Sequence, residues 1–184
     1  MALPATVYRL HIALSDVDRA VYETLDLRVA RHPSDTMRHL LARTLAYCLC
    51  YEEGIAFTRG LAEPDEPALW VRDLTGELRV WIDVGAPSAE RLHRAAKAAP
   101  RVVVVTSHDL VLLRREAASR AIHRREAIEV YALDGRFLDA VAEVTDRKAS
   151  WELVATGGRL YLTVGGQTLE GPLTRTSLIT AHGS

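Results

Sequence analysis

The chain has 184 residues, of which 48% are hydrophobic and 26% are charged, and its formal net charge at pH 7 is −1. This composition excludes a disordered chain. The length is sufficient for one domain with a substantial core, so we expect a single domain spanning residues 1–184. The near-neutral charge gives the whole molecule no electrostatic attraction to nucleic acid, and nucleic-acid binding would require a local basic patch.

The sequence also favours a cytoplasmic protein without a membrane segment. No apolar run approaches the roughly 20 residues that a membrane span requires. The first residues lack the basic start and long apolar stretch of a secretory signal. Cys48 and Cys50 lie two apart in a helical pattern, point in different directions and are expected to be reduced core thiols. The oligomeric state is not defined by the sequence, and a monomer is the simplest state that fits it.

The first part of the chain predicts a β-hairpin followed by a long helix. Residues 5–14 and 21–30 alternate polar and apolar side chains, as the strands of a hairpin do. Ser34 is suited to an N-cap, and apolar residues at helical spacing predict an amphipathic helix over residues 35–52. A short strand is expected at residues 55–57.

A second hairpin is predicted between residues 63 and 85. Asp73 and Gly76 occupy the first and fourth positions of a tight turn. If these two residues pair across the turn, Glu66 faces Asp83, with β-carbons roughly 4.5–5.5 Å apart. Like charges at opposed positions destabilise a hairpin unless a proton, a base or a metal lies between them. This acidic pair is therefore the first candidate site.

The remaining segments predict a mixed sheet with a crossover helix. Residues 78–84 alternate as a strand does, Ser88 starts a helix to about residue 98, and residues 102–105 form the apolar run typical of a buried parallel strand. Strand, helix and strand in so short a span indicate a right-handed crossover. Further expected elements are helices at residues 109–121 (capped by Ser107) and 137–144, and strands at residues 128–133, 151–155 and 159–164 with glycine turns at Gly157–Gly158 and Gly165–Gly166.

Residues 114–125 form a basic run in which only Glu116 is acidic. This run is a candidate nucleic-acid surface, but a solvated helix face followed by a polar loop explains it more simply, and we prefer that interpretation. Trp70 and Trp81 are suited to stacking on bases, and we prefer packing within the sheet for them too. The histidines have no spacing typical of metal ligands.

Four ordered sequence blocks resemble the YaeQ family of bacterial proteins. These are ARHPSDT at residues 30–36, FTRGL at 57–61, DEPALW at 65–70 and WIDVGAP at 81–87. With the opening ATVYRLHIALSDVDR, the resemblance covers nearly the whole chain. The family looks like a variant of the restriction-endonuclease-like, PD-(D/E)XK, architecture. The resemblance therefore implies an α+β fold with a restriction-endonuclease-like core, a mixed β-sheet flanked by helices, and additional N- and C-terminal β-hairpins.

The same resemblance implies an acidic, metal-binding site. Asp65 or Glu66 corresponds to the first acid of the motif, and the hairpin register favours Glu66. Asp83 corresponds to the second acid, and the backbone carbonyl of Val84 would be a further metal ligand. Mg²⁺, or Mn²⁺ in its place, suits such oxygen ligands and would acidify a bound water. Asp35 is a weak counterpart of the extra acid that some members carry.

The chain departs from the motif at Gly85, where the pattern requires lysine. The following helix offers Arg94 and Lys97, which lie three apart on neighbouring parts of one face. Lys97 is the better base because the pKa of lysine shifts readily on burial, whereas Arg94 suits a phosphate clamp. The resemblance implies that a basic residue is usual at the position of Arg94.

Two functional hypotheses follow from these residues. The first is a Mg²⁺-dependent phosphodiester hydrolase acting on nucleic acid, with Glu66 and Asp83 as ligands and Arg94 or Lys97 assisting. The second is a catalytically inactive module that keeps the fold and recognises nucleic acid or a protein partner, and Gly85 favours it.

A third interpretation gives the acidic residues a structural role only. Asp83 would then pair with Arg79 or cap the helix that begins near Ser88, and Glu66 would lie in a solvated loop beside Pro67.

Overall fold

The computed structural model describes residues 3–59 and 65–180, so part of the FTRGL block and the start of the second predicted hairpin lie outside the described residues. Within them the chain forms an α+β fold of ten strands and four α-helices. The strands are β1 (Thr6–Asp16), β2 (Val21–Arg31), β3 (Ile55–Phe57), β4 (Leu69–Arg72), β5 (Leu78–Val84), β6 (Arg101–Thr106), β7 (Glu129–Leu133), β8 (Lys148–Thr156), β9 (Arg159–Val164) and β10 (Gln167–Ser177). The helices are α1 (Met37–Leu49), α2 (Ala89–Ala98), α3 (Leu110–Ala118) and α4 (Gly135–Val144).

The chain divides into two compact units. The first contains Met1–Leu49 and Leu133–Leu173, and the second contains Cys50–Ala132 and Thr174–Ser184. This division does not test the single domain that the length predicts, and the single domain stays a prediction.

No helix in the described part of the chain is long and apolar enough to cross a membrane. Cys48 and Cys50 are buried free thiols, as the sequence predicts.

In the first unit the strands follow the order β2-β1-β8-β9-β10. β1 pairs with β2 in antiparallel fashion and with β8 in parallel fashion, while β8, β9 and β10 form an antiparallel meander. The predicted N- and C-terminal hairpins are thus confirmed, and they join through β1 and β8. Along β1 the side chains alternate strictly, with Leu10, Ile12 and Leu14 buried.

Two helix starts differ from the predicted N-caps. α1 begins after Thr36, whose Oγ1 accepts from the amide of His39 at 3.0 Å. Ser34 instead hydrogen-bonds the His32 ring at 2.8 Å, because a turn over residues 32–35 delays the helix. α3 is capped by Asp109 rather than Ser107, and the Asp109 carboxylate accepts from the amide of Val111 at 2.7 Å.

In the second unit the strands β7-β6-β5-β4-β3 lie side by side in that order. β5, β6 and β7 are parallel, and β3, β4 and β5 are antiparallel, so this group is mixed. The predicted strand, helix and parallel strand are confirmed as β5, α2 and β6. Apolar side chains of α2, α3 and the parallel strands form a core, including Trp81, Leu92, Val102, Val104, Leu113, Ile128 and Val130.

The β4–β5 turn forms at the predicted place but with a different register. The amide of Gly76 donates to the Asp73 carbonyl at 2.9 Å, and the amide of Asp73 donates to the Glu77 carbonyl at 3.0 Å. Gly76 has a φ of +83°, which lets it bulge out of the ladder. Asp73 therefore faces Glu77, one residue further than the predicted partner.

A second irregularity shifts the hairpin by one more residue. Arg72 pairs with Leu78 and Val71 pairs with Val80, so Arg79 has no partner in β4. Leu69 then pairs with Ile82, and the position that continues this register opposite Asp83 is Ala68. The predicted direct opposition of Glu66 and Asp83 is therefore wrong, because neither bulge is visible in the alternation of β5.

The Asp73 carboxylate organises this turn. It accepts from the Thr75 hydroxyl at 2.6 Å, from the amides of Thr75 and Glu77 at 2.9 and 3.0 Å, and from Arg79 at 2.9 Å. These hydrogen bonds, the Thr75 hydroxyl first, lower the pKa of Asp73 from its ordinary value of 3.8 to about 2.

Replacing Asp73 with Ala should destabilise the protein at neutral pH and not at very low pH. The folded-state pKa of Asp73 lies below its unfolded-state value, so its contribution is complete above pH 3.8 and is lost as the pH falls to about 2. Comparison of urea unfolding of wild type and Asp73→Ala across this range measures the effect. A difference between the two proteins that does not shrink on acidification would contradict this role.

Candidate functional site

Asp83 lies in the interior strand β5 and is only 2% exposed. Side chains on both faces of β5 are buried from Val80 to Asp83, and β4 and β6 flank the strand within the sheet. A buried carboxylate is costly unless a cation or several donors satisfy it. The environment of Asp83 therefore defines the site.

The guanidinium of Arg91 forms a bidentate ion pair with the carboxylate of Asp83. Its Nε donates to Oδ2 and its Nη2 donates to Oδ1, both at 2.9 Å. The Arg91 side chain is 25% exposed, so the pair is largely removed from water. Parallel hydrogen bonds of this kind are the strong form of an arginine–carboxylate interaction. Both oxygens of Asp83 are thus engaged by one guanidinium.

Local structure between β5 and α2 places Arg91 over Asp83. The amide of Gly85 donates to the Val105 carbonyl at 2.9 Å, which continues the β5–β6 ladder by one residue. Gly85 then turns the chain with a φ of +106°, a conformation that side chains other than glycine rarely adopt. Ser88 caps α2 by accepting from the Arg91 amide at 3.2 Å, so Arg91 lies in the first turn of the helix.

Arg91 also holds the segment before β4. Its Nη2 donates to the backbone carbonyl of Glu66 at 2.6 Å, so one nitrogen contacts both Glu66 and Asp83. Oε2 of Glu66 is buried and has no hydrogen-bond partner among residues 3–59 and 65–180. The guanidinium carbon of Arg91 also lies 5.6 Å from the ring centre of Trp81. The two acids of the sequence prediction therefore meet at Arg91, Glu66 through its backbone.

Arg94 forms a second, exposed contact with the same segment. Its Nη1 donates to Oδ1 of Asp65 at 2.8 Å, and the two side chains are 52% and 83% exposed. Lys97 lies exposed in the last turn of α2, and Val84 pairs with Val105 in the β5–β6 ladder. Asp35 lies in the first unit, where its buried carboxylate pairs with Arg43 at 3.3 Å.

The arrangement does not fit a Mg²⁺ ion as it stands. Mg²⁺ prefers an octahedron of oxygen ligands, and a guanidinium engages both oxygens of Asp83. The described residues contain no group of three or more His, Cys, Asp or Glu side chains that could hold a metal ion. The metal site predicted at Asp65, Glu66, Asp83 and Val84 stays a prediction, and it requires Arg91 to move.

Arg91 is the site residue that sequence reasoning missed. The signal for it was present, because Ser88 was recognised as the helix start and Arg91 is three residues further on, one turn before Arg94. A side chain in the first helical turn leans back toward the helix N-terminus. In this fold that direction leads to the end of β5.

Two arginines of the basic run at residues 114–125 form hydrogen bonds within the second unit. Arg114 donates to the Thr176 hydroxyl at 3.1 Å, and Arg124 donates to the carbonyls of Ala96 and Ala99 at the end of α2. Trp81 is buried and pairs with Trp70 across the β4–β5 ladder. The preferred interpretation of Trp81 as packed within the sheet is therefore confirmed.

The fold and site define an α+β protein with an arginine-neutralised acidic centre beside a crossover helix. A family model described as "YaeQ protein" matches residues 1–172. The chain therefore belongs to the YaeQ family.

Relatives of similar length agree with this assignment. The "Uncharacterized protein YaeQ" of Escherichia coli (strain K12) is 31% identical over 176 residues, which is 95% of this chain and 97% of that protein. The crystal structure of YaeQ protein from Xanthomonas axonopodis pv. citri is similar with a TM-score of 0.85 at 29% identity, covering 94% of this chain and 98% of that one. The crystal structure of YaeQ protein from Pseudomonas syringae is similar with a TM-score of 0.84 at 31% identity, covering 96% and 98%.

Arg91→Ala should lower the free energy of unfolding by about 3–5 kcal/mol, because it leaves the Asp83 charge buried without a partner. Arg94→Ala is the matched control one helical turn away, and loss of its exposed pair should cost less than about 1 kcal/mol. Chemical denaturation of both variants at neutral pH measures the difference. Equal effects of the two substitutions would show that Asp83 does not depend on Arg91.

Proposed function

We propose that this protein is a binding module that keeps a nuclease-like fold and does not cleave its partner. The proposal includes the restriction-endonuclease-like core that the family resemblance implies. Support for such a core comes from the parallel strands β5 and β6, joined through α2 with the acidic residue near the end of the first of them. The observation that carries the proposal is the engagement of both Asp83 oxygens by Arg91.

Chemistry at this centre is limited by the guanidinium. Arginine neutralises a carboxylate as a cation would, but it offers no open coordination position for water or phosphate. It also stays protonated in proteins and cannot serve as a general base. Gly85, which replaces the motif lysine, is needed for the turn into α2, since its φ is +106°. The centre thus stabilises the fold without providing a metal-bound nucleophile.

Nucleic acid is the partner that the family resemblance implies, and a protein partner is the alternative. Val111 and Leu112 on α3 favour the alternative, since these adjacent apolar side chains are 63% and 59% exposed. A cytoplasmic location and a monomeric state are part of the proposal.

A Mg²⁺-dependent phosphodiester hydrolase is the second candidate, and the unpaired Oε2 of Glu66 favours it. A buried carboxylate oxygen without a donor is costly unless it is protonated or a cation reaches it. In this candidate Arg91 swings away, Asp83 and Glu66 share a metal ion, and Arg94 or Lys97 contacts the substrate.

A metal titration of the wild-type protein separates the two candidates. We expect no heat of binding and no thermal stabilisation with Mg²⁺ or Mn²⁺, and no cleavage of single- or double-stranded substrates. We expect any binding of labelled oligonucleotides to be unchanged by EDTA. Metal-dependent cleavage that Asp83→Asn abolishes and Arg79→Gln retains would refute the binding-module proposal.

A further inference from the structure

Three cationic side chains form a row across the first unit's sheet. Arg9 pairs directly with Arg28 in the antiparallel β1–β2 ladder and with Lys148 in the parallel β1–β8 ladder. Directly paired residues project on the same face, and neighbouring strands lie about 4.8 Å apart. We call these three residues the basic row.

All three side chains of the basic row are exposed, and within residues 3–59 and 65–180 none of them has an ion pair. Other exposed arginines of this unit do have acidic partners, such as Arg38 with Asp139 at 2.6 Å and Arg159 with Glu170 at 3.1 Å. Directly opposed like charges destabilise a sheet. The positive charges of the basic row therefore repel one another, and no acidic side chain of the described residues forms an ion pair with them.

The neighbouring row on the same face contains only one acidic side chain, so the three cations of the basic row retain a net positive charge. Its members are Asp26, His11 and Ser150, which are paired across the same three strands. The Asp26 carboxylate is engaged by His11, with 2.6 Å between Nδ1 and Oδ1. Ser150 provides a hydroxyl group, a neutral hydrogen-bond donor, beside the cations.

These two rows line one depression with a volume of about 580 Å³. Its polar and charged lining is provided by Arg9, Arg28, Lys148, His11, Ser150 and the exposed carboxylate of Asp26. Three cations, a hydroxyl, an imidazole and one carboxylate thus line a single open depression. Because the three cations outnumber the one carboxylate, the net charge and the hydrogen-bond donors of this depression match a small oxyanion.

We propose that the basic row binds the phosphate group of a phosphate monoester. A phosphate monoester at neutral pH carries close to two negative charges and three terminal oxygens, which suits two arginine forks and one ammonium group. A carboxylate has one charge and two oxygens and would neutralise the row less completely. The site shares no residue with the Asp83 centre, so it stands or fails separately from the proposed binding module.

Isothermal titration with inorganic phosphate, at constant ionic strength against chloride, tests the site. Wild type should bind phosphate, and Arg9→Gln should weaken binding by about tenfold or more, as expected for loss of a charge-assisted hydrogen bond. Arg136→Gln, a matched change at an exposed arginine of α4 in the same unit, should bind as wild type does. Without phosphate at low salt, Arg9→Gln should melt at the wild-type temperature or above, because repulsion is removed.

The phosphate proposal is overturned if wild type responds equally to phosphate and chloride, or if Arg136→Gln loses as much binding as Arg9→Gln. Comparison of a nucleoside 5′-monophosphate with oligonucleotides bearing a 5′-phosphate or a 5′-hydroxyl identifies the source of the group. A monoester site is supported if the mononucleotide or the 5′-phosphorylated oligonucleotide binds more tightly than the oligonucleotide with a 5′-hydroxyl group. Equal binding of the two oligonucleotides would indicate backbone recognition and contradict the proposal.

Discussion

The buried ion pair between Asp83 and Arg91 is the interaction on which the organisation of the second unit's site depends. It joins the end of an interior strand to the first turn of the crossover helix, and the same guanidinium holds the backbone at Glu66. Buried ion pairs often contribute little net stability compared with apolar residues of the same size. The pair between Asp83 and Arg91 favours one geometry, because leaving either charge unpaired in the interior is costly. Here that geometry is the position of α2 relative to β5.

Neutralisation by arginine changes what an acidic centre can do. A divalent ion at this place would bring water and open coordination positions, and it would be exchangeable. A guanidinium is permanent, brings no water and is anchored by the Ser88 cap and the α2 helix. The Gly85 turn belongs to the same arrangement, since it directs the chain from the ladder into the helix that carries Arg91. The Gly85 turn and the arginine pair are therefore two aspects of one local structure.

Local patterns in the sequence predicted most elements of the fold. The alternation in β1 and β2, the apolar run of β6 and the Ser88 cap of α2 each reflect short-range chemistry, and each is confirmed. The hairpin register failed because it depends on a positive φ at Gly76 and on an unpaired Arg79, and alternation records neither. The sequence indicates the acidic residues of the site, Glu66 and Asp83. It does not indicate the role of Arg91, because that role depends on the direction of α2.

Long-range pairing was beyond the reach of sequence patterns. The parallel alignment of β1 with β8 brings Lys148 beside Arg9, although the two residues are 139 positions apart in the sequence. No periodicity links residues at that separation, so the basic row becomes visible only in the structure. The contiguous basic run at residues 114–125 is visible in the sequence, and two of its arginines form hydrogen bonds within the second unit.

Crystals grown with Mn²⁺ and measured near the manganese absorption edge would test the central claim most directly. We predict that Arg91 remains paired with both oxygens of Asp83 and that no anomalous peak lies within coordination distance of that carboxylate. An anomalous peak coordinated by Asp83, with the Arg91 side chain displaced, would contradict the account.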